Sequence, residues 1–337
     1  MRAIGYQNPG PIDAQASLVD IDLPRPKPTG RDLLVEVKAV SVNPVDTKVR
    51  QRSGPEAGGW KVLGWDAAGI VAEVGEAVEG FRPGDAVFYA GALERPGTNA
   101  EFHLVDERIV GRKPDSLDFA AAAALPLTAI TAWEALFDRL VVSRRVPGAA
   151  PALLIVGGAG GVGSIAIQLA RQLTDLQVIA TASRPETVEW VRDLGAHHVI
   201  DHSQPLDAEI AALGLGAPAF VFSTTGTDGH LDAIAQLIAP QGRFVLIDDP
   251  GIVNISPFKT KSVSVHWEFM FTRSMFTTAD IAGQGRLLNE IAAMIDAGRL
   301  KTTLGTHFGR IDAETLKRAH ALIESGKARG KIVLEGF

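Results

Sequence analysis

One stretch near the middle of the chain constrains its fold more than any other. VGGAGGVGSIAIQLAR, Val156–Arg171, places glycines at 158, 160 and 163 directly after the wholly apolar run Leu153–Val156 and at the head of a helical pattern. A strand, a glycine turn and a helix in that order make a dinucleotide-binding turn. Without a Cβ, backbone N–H groups can approach a pyrophosphate, and the helix amino terminus, opened here by Gly161 and Val162, favours its negative charge. A glycine-rich structural turn is the alternative reading.

In such turns an acidic residue about 20 positions further on accepts from the ribose hydroxyls of NAD. Here the next strand ends ATASRPE, so Ser183 and Arg184 stand at that place. No carboxylate there repels a 2′-phosphate, and Arg184 offers a forked donor for one, so NADPH is the expected cofactor. Glu186 keeps the other choice open, because a slightly different strand end would bring it to the ribose.

The surroundings fit an α/β chain. LLIV, QVIATA (Gln177–Ala182), HVID (His198–Asp201), AFVFS (Ala219–Ser223) and RFVLI (Arg243–Ile247) alternate with helical patterns. Strands separated by helices predict a doubly wound parallel sheet with right-handed crossovers. Val162, Ile165, Ala166, Leu169 and Leu173 fall on one helical face. SVSVHWEFMF (Ser262–Phe271) reads as a final strand with Val263, Val265, Trp267, Phe269 and Phe271 on one side. Before residue 125 the character is β-rich: LLVEVKAVSV (Leu33–Val42) and GIVAEVGEAVEGFRPGDAVFYA (Gly69–Ala90) carry strand alternation and turn signals. PLTAITAWEALFDRL (Pro126–Leu140) is helical, and helices around Leu287–Ala297 and Ala313–Ser325 precede the strand-like KIVL.

A length of 337 residues suggests two domains. The net charge of −6, with no basic run, argues against a nucleic-acid partner. No uninterrupted apolar run approaches the roughly 20 residues of a membrane span, and MRAIGYQNPG has no signal-like core. A cytoplasmic protein with no membrane partner is expected. Cysteine is absent, which removes disulfides and every thiolate-based zinc site. His197, His198 and His202 are close in sequence but lack metalloprotease spacing and acidic partners, so no metal is assigned to them.

Taken together, LGWDAAGIVAEVG (Leu63–Gly75), VEGFRPGDAVF, LPLTAITAWEAL, GGAGGVGSIAIQLAR and GKIVL (Gly330–Leu334) resemble the medium-chain dehydrogenase/reductase superfamily over nearly the whole chain. Within it the chain is similar to the quinone oxidoreductase branch, near the group labelled "zinc-type alcohol dehydrogenase-like". The resemblance implies a Rossmann domain at residues 129–271 and a GroES-like β-rich catalytic domain, begun by 1–128 and completed by 272–337. It also implies that Asn43 stands where zinc-using members carry a cysteine, and Trp65 and Asp66 where they carry histidine and glutamate. An indole N–H is a donor without a usable lone pair and cannot replace an imidazole ligand.

The resemblance implies the remaining site residues as well. Asn43 would donate to a substrate oxygen or position the nicotinamide ribose. Asp46 would act beside it or only brace the NPVD turn. Trp65 would fill the vacated metal space as an apolar wall, and the Tyr89 hydroxyl would reach the cleft unless the ring simply packs inward. Thr128 would lie beside the nicotinamide, and Thr224 at the carboxyl edge of the sheet. The backbone near Ile247 and Phe271 would hold the carboxamide, and His202 would sit near the adenosine phosphate. The implied function is zinc-independent, NADPH-dependent hydride transfer to quinones or α,β-unsaturated carbonyl compounds. An alcohol dehydrogenase and a non-catalytic NADPH-binding or sensing protein are the alternatives. In relatives the last strand of the cofactor sheet pairs with its copy across a twofold axis, so the resemblance implies a homodimer, the alternative being an edge covered by the chain's own helices.

Overall fold

The computed structural model describes residues 1–56 and 58–337; Ala57 lies outside them. The chain divides into two compact units, one made of Met1–Ile130 with Phe271–Phe337 and the other of Thr131–Met270.

The second unit is a six-stranded parallel sheet. Its strands run in the spatial order His198–Ile200, Gln177–Thr181, Ala150–Val156, Pro218–Ser223, Arg243–Leu246, Ser264–Trp267. Numbered along the chain this is 3-2-1-4-5-6, the Rossmann order, whose reversal beside the first strand creates the ligand crevice at the carboxyl ends. The central strand is an unbroken apolar run because helices cover both sheet faces, and Leu153–Val156 are each no more than 1% exposed. The helix Gly161–Leu173 presses Ile165, Ala166 and Leu169 onto the sheet. Val162 is only half-buried and Leu173 is exposed, so the apolar stripe is shorter than the sequence period suggests.

The final strand corrects a sequence expectation. Pairing stops at Trp267, and the alternation inverts from that residue on: Glu268 and Met270 are buried, whereas Trp267 and Phe269 are 53% and 45% exposed. Once the ladder ends, the period of two no longer determines which side chain turns inward.

The first unit contains a sheet in the order Leu304–His307, Lys331–Glu335, Asp32–Val42, Ala67–Val74, Ala86–Tyr89, Val110–Arg112, with Phe102–Asp106 also paired to Asp32–Val42. A smaller sheet orders Val19–Asp22, Arg2–Tyr6 and Lys61–Val62. Gly69 and Gly75 are required by close backbone contacts; a Cβ on Gly69 would stand 2.2 Å from the Glu36 carbonyl oxygen, and one on Gly75 would stand 2.4 Å from the Gly30 carbonyl oxygen.

The helical pattern at Pro126 continues past Trp133 as a π-helical turn over Glu134–Arg139. With the short helix Phe119–Ala123 it forms the one segment, Phe119–Arg139, long and apolar enough among the described residues to cross a membrane. Its 18-residue apolar window is 83% buried within the protein, as in a core helix.

Candidate functional site

The glycine loop of the Rossmann unit can be read residue by residue. Gly157 has φ +81°, and a Cβ there would meet Thr224 Oγ1 at 2.4 Å. A Cβ on Gly158 would lie 2.8 Å from Ala180 Cβ, and one on Gly163 would lie 2.3 Å from the Gly157 carbonyl oxygen. Internal packing therefore requires glycine at these three positions. At Gly160 an added Cβ meets nothing nearer than 3.5 Å. The protein's own packing leaves that glycine unexplained, whereas a phosphate lying close against the loop accounts for it. The first amides of the helix beginning at Gly161 have no intrahelical acceptors, as at every helix start. The loop thus fits a dinucleotide.

Around it, Thr181 Oγ1 accepts from Gly157 N at 2.9 Å, and Thr224 donates to the Val156 carbonyl at 2.8 Å. Ser183 Oγ lies 3.3 Å from His202 Nε2, which brings together two of the expected adenosine-end residues. The buried Nδ1 of His202 has no protein partner. Arg184 begins the helix Pro185–Asp193, and its Nε stands 3.4 Å from Glu186 Oε1. The rival ribose acceptor is therefore ion-paired with the arginine itself. The backbone N–H of Ile247 donates to Ser223 O at 3.3 Å. Sequence reading missed the lock beneath this edge: Asp248 accepts from both Thr227 N and Thr227 Oγ1, and Thr227 meets Ser223 Oγ at 2.7 Å. The only local signal was a run of small polar residues after an apolar strand.

In the β-rich unit the four residues expected to act on substrate are all buried and engaged by protein groups. Asn43 stands at the amino end of the helix Pro44–Arg52, and its backbone N–H is taken by Asp46 Oδ2 at 2.7 Å. Asp46 thus braces the NPVD turn. Its other oxygen has no partner, and burial pushes its carboxyl up to about 7 against the opposing effects of the Asn43 amide and the Lys331 ammonium. The Asn43 side-chain amide donates to Asp66 Oδ2 at 2.8 Å and to the Trp65 carbonyl at 3.2 Å, while its oxygen accepts from Lys331. An amide with both N–H groups so engaged has none left for a substrate oxygen, which corrects the donor role expected for it.

Trp65 is 1% exposed; its Nε1 donates to Ala92 O at 3.1 Å, and its ring meets Phe271 edge-to-face at 6.2 Å between centroids. It is a core plug rather than an open wall. Phe271 is itself buried against it. Of the two readings for Tyr89 the structure shows the inward one: its ring is stacked on His103, and its hydroxyl lies 3.1 Å from His103 Nδ1. Burial raises the Tyr89 phenol well above its usual range and lowers His103 to about 4. The Thr128 hydroxyl donates to Leu125 O at 3.1 Å and supports the helix start.

Lys331 is the residue that sequence reading did not single out. GKIVL announced only a strand, yet Lys331 is 3% exposed and its ammonium contacts Asp66 Oδ2 at 3.1 Å. The other Asp66 oxygen accepts from Leu127 N at 2.7 Å. Burial raises the Asp66 carboxyl, with Lys331 the leading opposing influence, and burial likewise lowers Lys331. The positions that align with zinc ligands therefore hold a fully engaged amide, an indole donor and an ion-paired carboxylate. This set does not fit a zinc ion. Among the described residues no group of three or more His, Cys, Asp or Glu side chains is arranged to hold a metal.

Comparison with known proteins agrees with this architecture. Residues 29–115 match the alcohol dehydrogenase GroES-like domain family, and residues 194–334 match the family described as zinc-binding dehydrogenase. A zinc-type alcohol dehydrogenase-like protein of Staphylococcus epidermidis is 35% identical over 336 residues, covering 99% of each chain. A crystal structure from Rhizobium etli CFN 42, of a protein grouped with zinc-dependent alcohol dehydrogenases, is 69% identical with a TM-score of 0.99, over 100% of this chain and 98% of that one. The quinone oxidoreductase of Coxiella burnetii is 27% identical with a TM-score of 0.81 over 99% of each chain. With its GroES-like unit, its Rossmann sheet and relatives that match it from end to end, the chain belongs to the medium-chain dehydrogenase/reductase superfamily of oxidoreductases.

Proposed function

We propose that the chain is an NADPH-dependent oxidoreductase that reduces quinones or α,β-unsaturated carbonyl compounds without a catalytic zinc ion. The observation that carries this reading is the closed network of Asn43, Asp66 and Lys331 at the positions where a metal would be held. Zinc makes alcohol oxidation practical by acidifying a hydroxyl and polarising a carbonyl. Where that aid is lacking, the easier acceptor is a conjugated system whose incoming charge is delocalised onto a remote oxygen, so modest donors suffice. The similarity to a quinone oxidoreductase supports the same substrate class.

NADPH, when bound, supplies the hydride. The chain's part is to hold it: the loop Gly157–Gly163 cradles the pyrophosphate, and Arg184, with Ser183 and His202, takes the 2′-phosphate end. Asn43, Asp46, Trp65 and Tyr89 hold the β-rich unit in shape, so solvent is left to protonate the reduced substrate.

The deciding experiment follows NADPH oxidation with 1,4-quinones, enones and simple aldehydes, with and without chelator. Turnover of quinones or enones that is indifferent to chelator is expected. Activity confined to alcohols or aldehydes and abolished by chelator would overturn the reading. Tight NADPH binding with no turnover on the whole panel would favour a binding or sensing protein.

We further infer a homodimer joined at the edge of the Rossmann sheet. Ser264–Trp267 is paired on one side only, and exposed Trp267 and Phe269 lie beside its unpaired edge. Such an edge is an aggregation hazard that a second copy covers.

A further inference from the structure

We propose that Lys331 is the resident cation of the β-rich unit. Its ammonium fixes residues 43 and 66 as a bound metal ion would, and it keeps divalent ions out. This inference rests on the metal-free reading above and adds the group that makes the metal dispensable.

Three observations carry it. The first is the count of acceptors. Lys331 Nζ donates to Val42 O at 3.0 Å, to Asn43 Oδ1 and to Asp66 Oδ2 at 3.1 Å. None of these atoms can donate back if Asp66 is ionised, and a neutral amine has only two N–H groups to offer; three acceptors call for the ammonium form. The second is placement. Strand Lys331–Glu335 runs antiparallel to Asp32–Val42 with Ile332 opposite Val42, so the residue before Ile332 falls beside the end of that strand, where Asn43 begins the helix. The third is charge. Asp46 and Asp66 are both buried, the Asp66 charge adds to the cost of ionising Asp46, and Lys331 is the cation that acts on both. An unpaired buried carboxylate is far more costly than a paired one, so the network depends on this lysine.

Truncating Lys331 to alanine leaves Asp66 Oδ2, Asn43 Oδ1 and Val42 O around the vacated point. An all-oxygen set of that kind suits a hard divalent cation such as Mn²⁺. The variant should gain an affinity that the natural chain lacks.

The test uses the full-length chain, Lys331→Ala, and the double variant Lys331→Ala/Asp66→Asn. Metal content is measured, together with thermal unfolding in chelator, in Mn²⁺ and in methylammonium. The natural chain should be metal-free and indifferent to all additions. Lys331→Ala should melt lower and be raised by Mn²⁺ or methylammonium, and the double variant should recover stability and lose the Mn²⁺ response. Stoichiometric zinc in the natural chain overturns the metal-free function and this inference with it. A metal-free natural chain beside a Lys331→Ala variant that melts normally and ignores Mn²⁺ overturns this inference alone. If Lys331→Ala does not fold, the double variant decides: a folded, Mn²⁺-insensitive protein supports the proposal, and an insoluble one overturns it.

Discussion

Arg139 donates from Nε to Glu268 Oε2 at 2.8 Å, tying the π-helical turn to the segment just beyond the last strand of the Rossmann sheet. Glu134, on the same turn as Arg139, also presses on Glu268. Burial and then the Glu134 charge push Glu268 up to about 9, against the pull of Arg139. Burial therefore favours the neutral form of the Glu268 carboxyl, whose Oε1 has no hydrogen-bond partner. A folded-state value raised above the ordinary 4.5 means stability that is complete below 4.5 and is lost as pH climbs through about 9. Glu268→Gln keeps an acceptor for Arg139 and should flatten that alkaline decline. Urea midpoints from pH 5 to 9.5 check this, with a change of about 1 kcal/mol or less expected at the acid end.

Gly160 and Gly163 should respond differently to alanine. Gly163→Ala drives a Cβ into the Gly157 carbonyl and should cost about 1–3 kcal/mol of stability as well as cofactor affinity. Gly160→Ala clears the protein and should leave the melting temperature unchanged while weakening NADPH binding about tenfold or more. Calorimetric titration beside thermal melts separates the two. Equal NADPH affinity for Gly160→Ala and the natural chain would count against a phosphate at this loop.

Arg184→Ala should raise the NADPH dissociation constant by about 10–100-fold, the worth of a charge-assisted hydrogen bond of ~1.5–3 kcal/mol, with little effect on NADH. Because Arg184 is ion-paired to Glu186, the same change frees that carboxylate. Binding of both coenzymes to the variant is the measurement, and equal losses for NADH and NADPH would remove the phosphate role.

Tyr89→Phe should keep full turnover while losing about 1–3 kcal/mol, since His103 Nδ1 is left buried without its partner. His103, lowered to about 4, contributes stability that is complete above its ordinary 6.5 and is lost as pH falls through about 4. His320, buried with neither ring nitrogen partnered and lowered to about 3, acts in the same direction. His320→Leu should flatten the acid side of the stability profile. A steady-state assay of the first variant and acid unfolding of the second test these outcomes.

Phe269→Glu, at an exposed position beside the sheet edge, should convert the dimer to monomer with the fold intact. Light scattering after size exclusion reads the mass directly. A natural chain that is already monomeric at micromolar concentration would remove the dimer.

The Rossmann unit was legible because its signals are local. Leu153–Val156 is apolar throughout because both sheet faces are covered, and the glycines beside it answer to contacts a few residues away. The end of the last strand was not legible, since only the loss of pairing after Trp267 determines that Glu268 turns inward. Asn43 looked available for chemistry because a sequence shows a side chain's donors without showing who occupies them. Lys331 was invisible for the opposite reason: its partner Asn43 is 288 residues away, and nothing within GKIVL hints at a buried charge.

The strand carrying that lysine lies between Leu304–His307 and Asp32–Val42, so this sheet is closed only after every strand of the Rossmann unit has been made. On a ribosome adding ~5–20 residues per second, Thr131–Met270 emerges with all its strands some seconds before the β-rich unit can finish. Until then nascent Asp66 has no counter-charge and the flank of Asp32–Val42 is unclaimed. A pause in translation over that interval would leave an open template for chaperones, or for aggregation, at one defined edge.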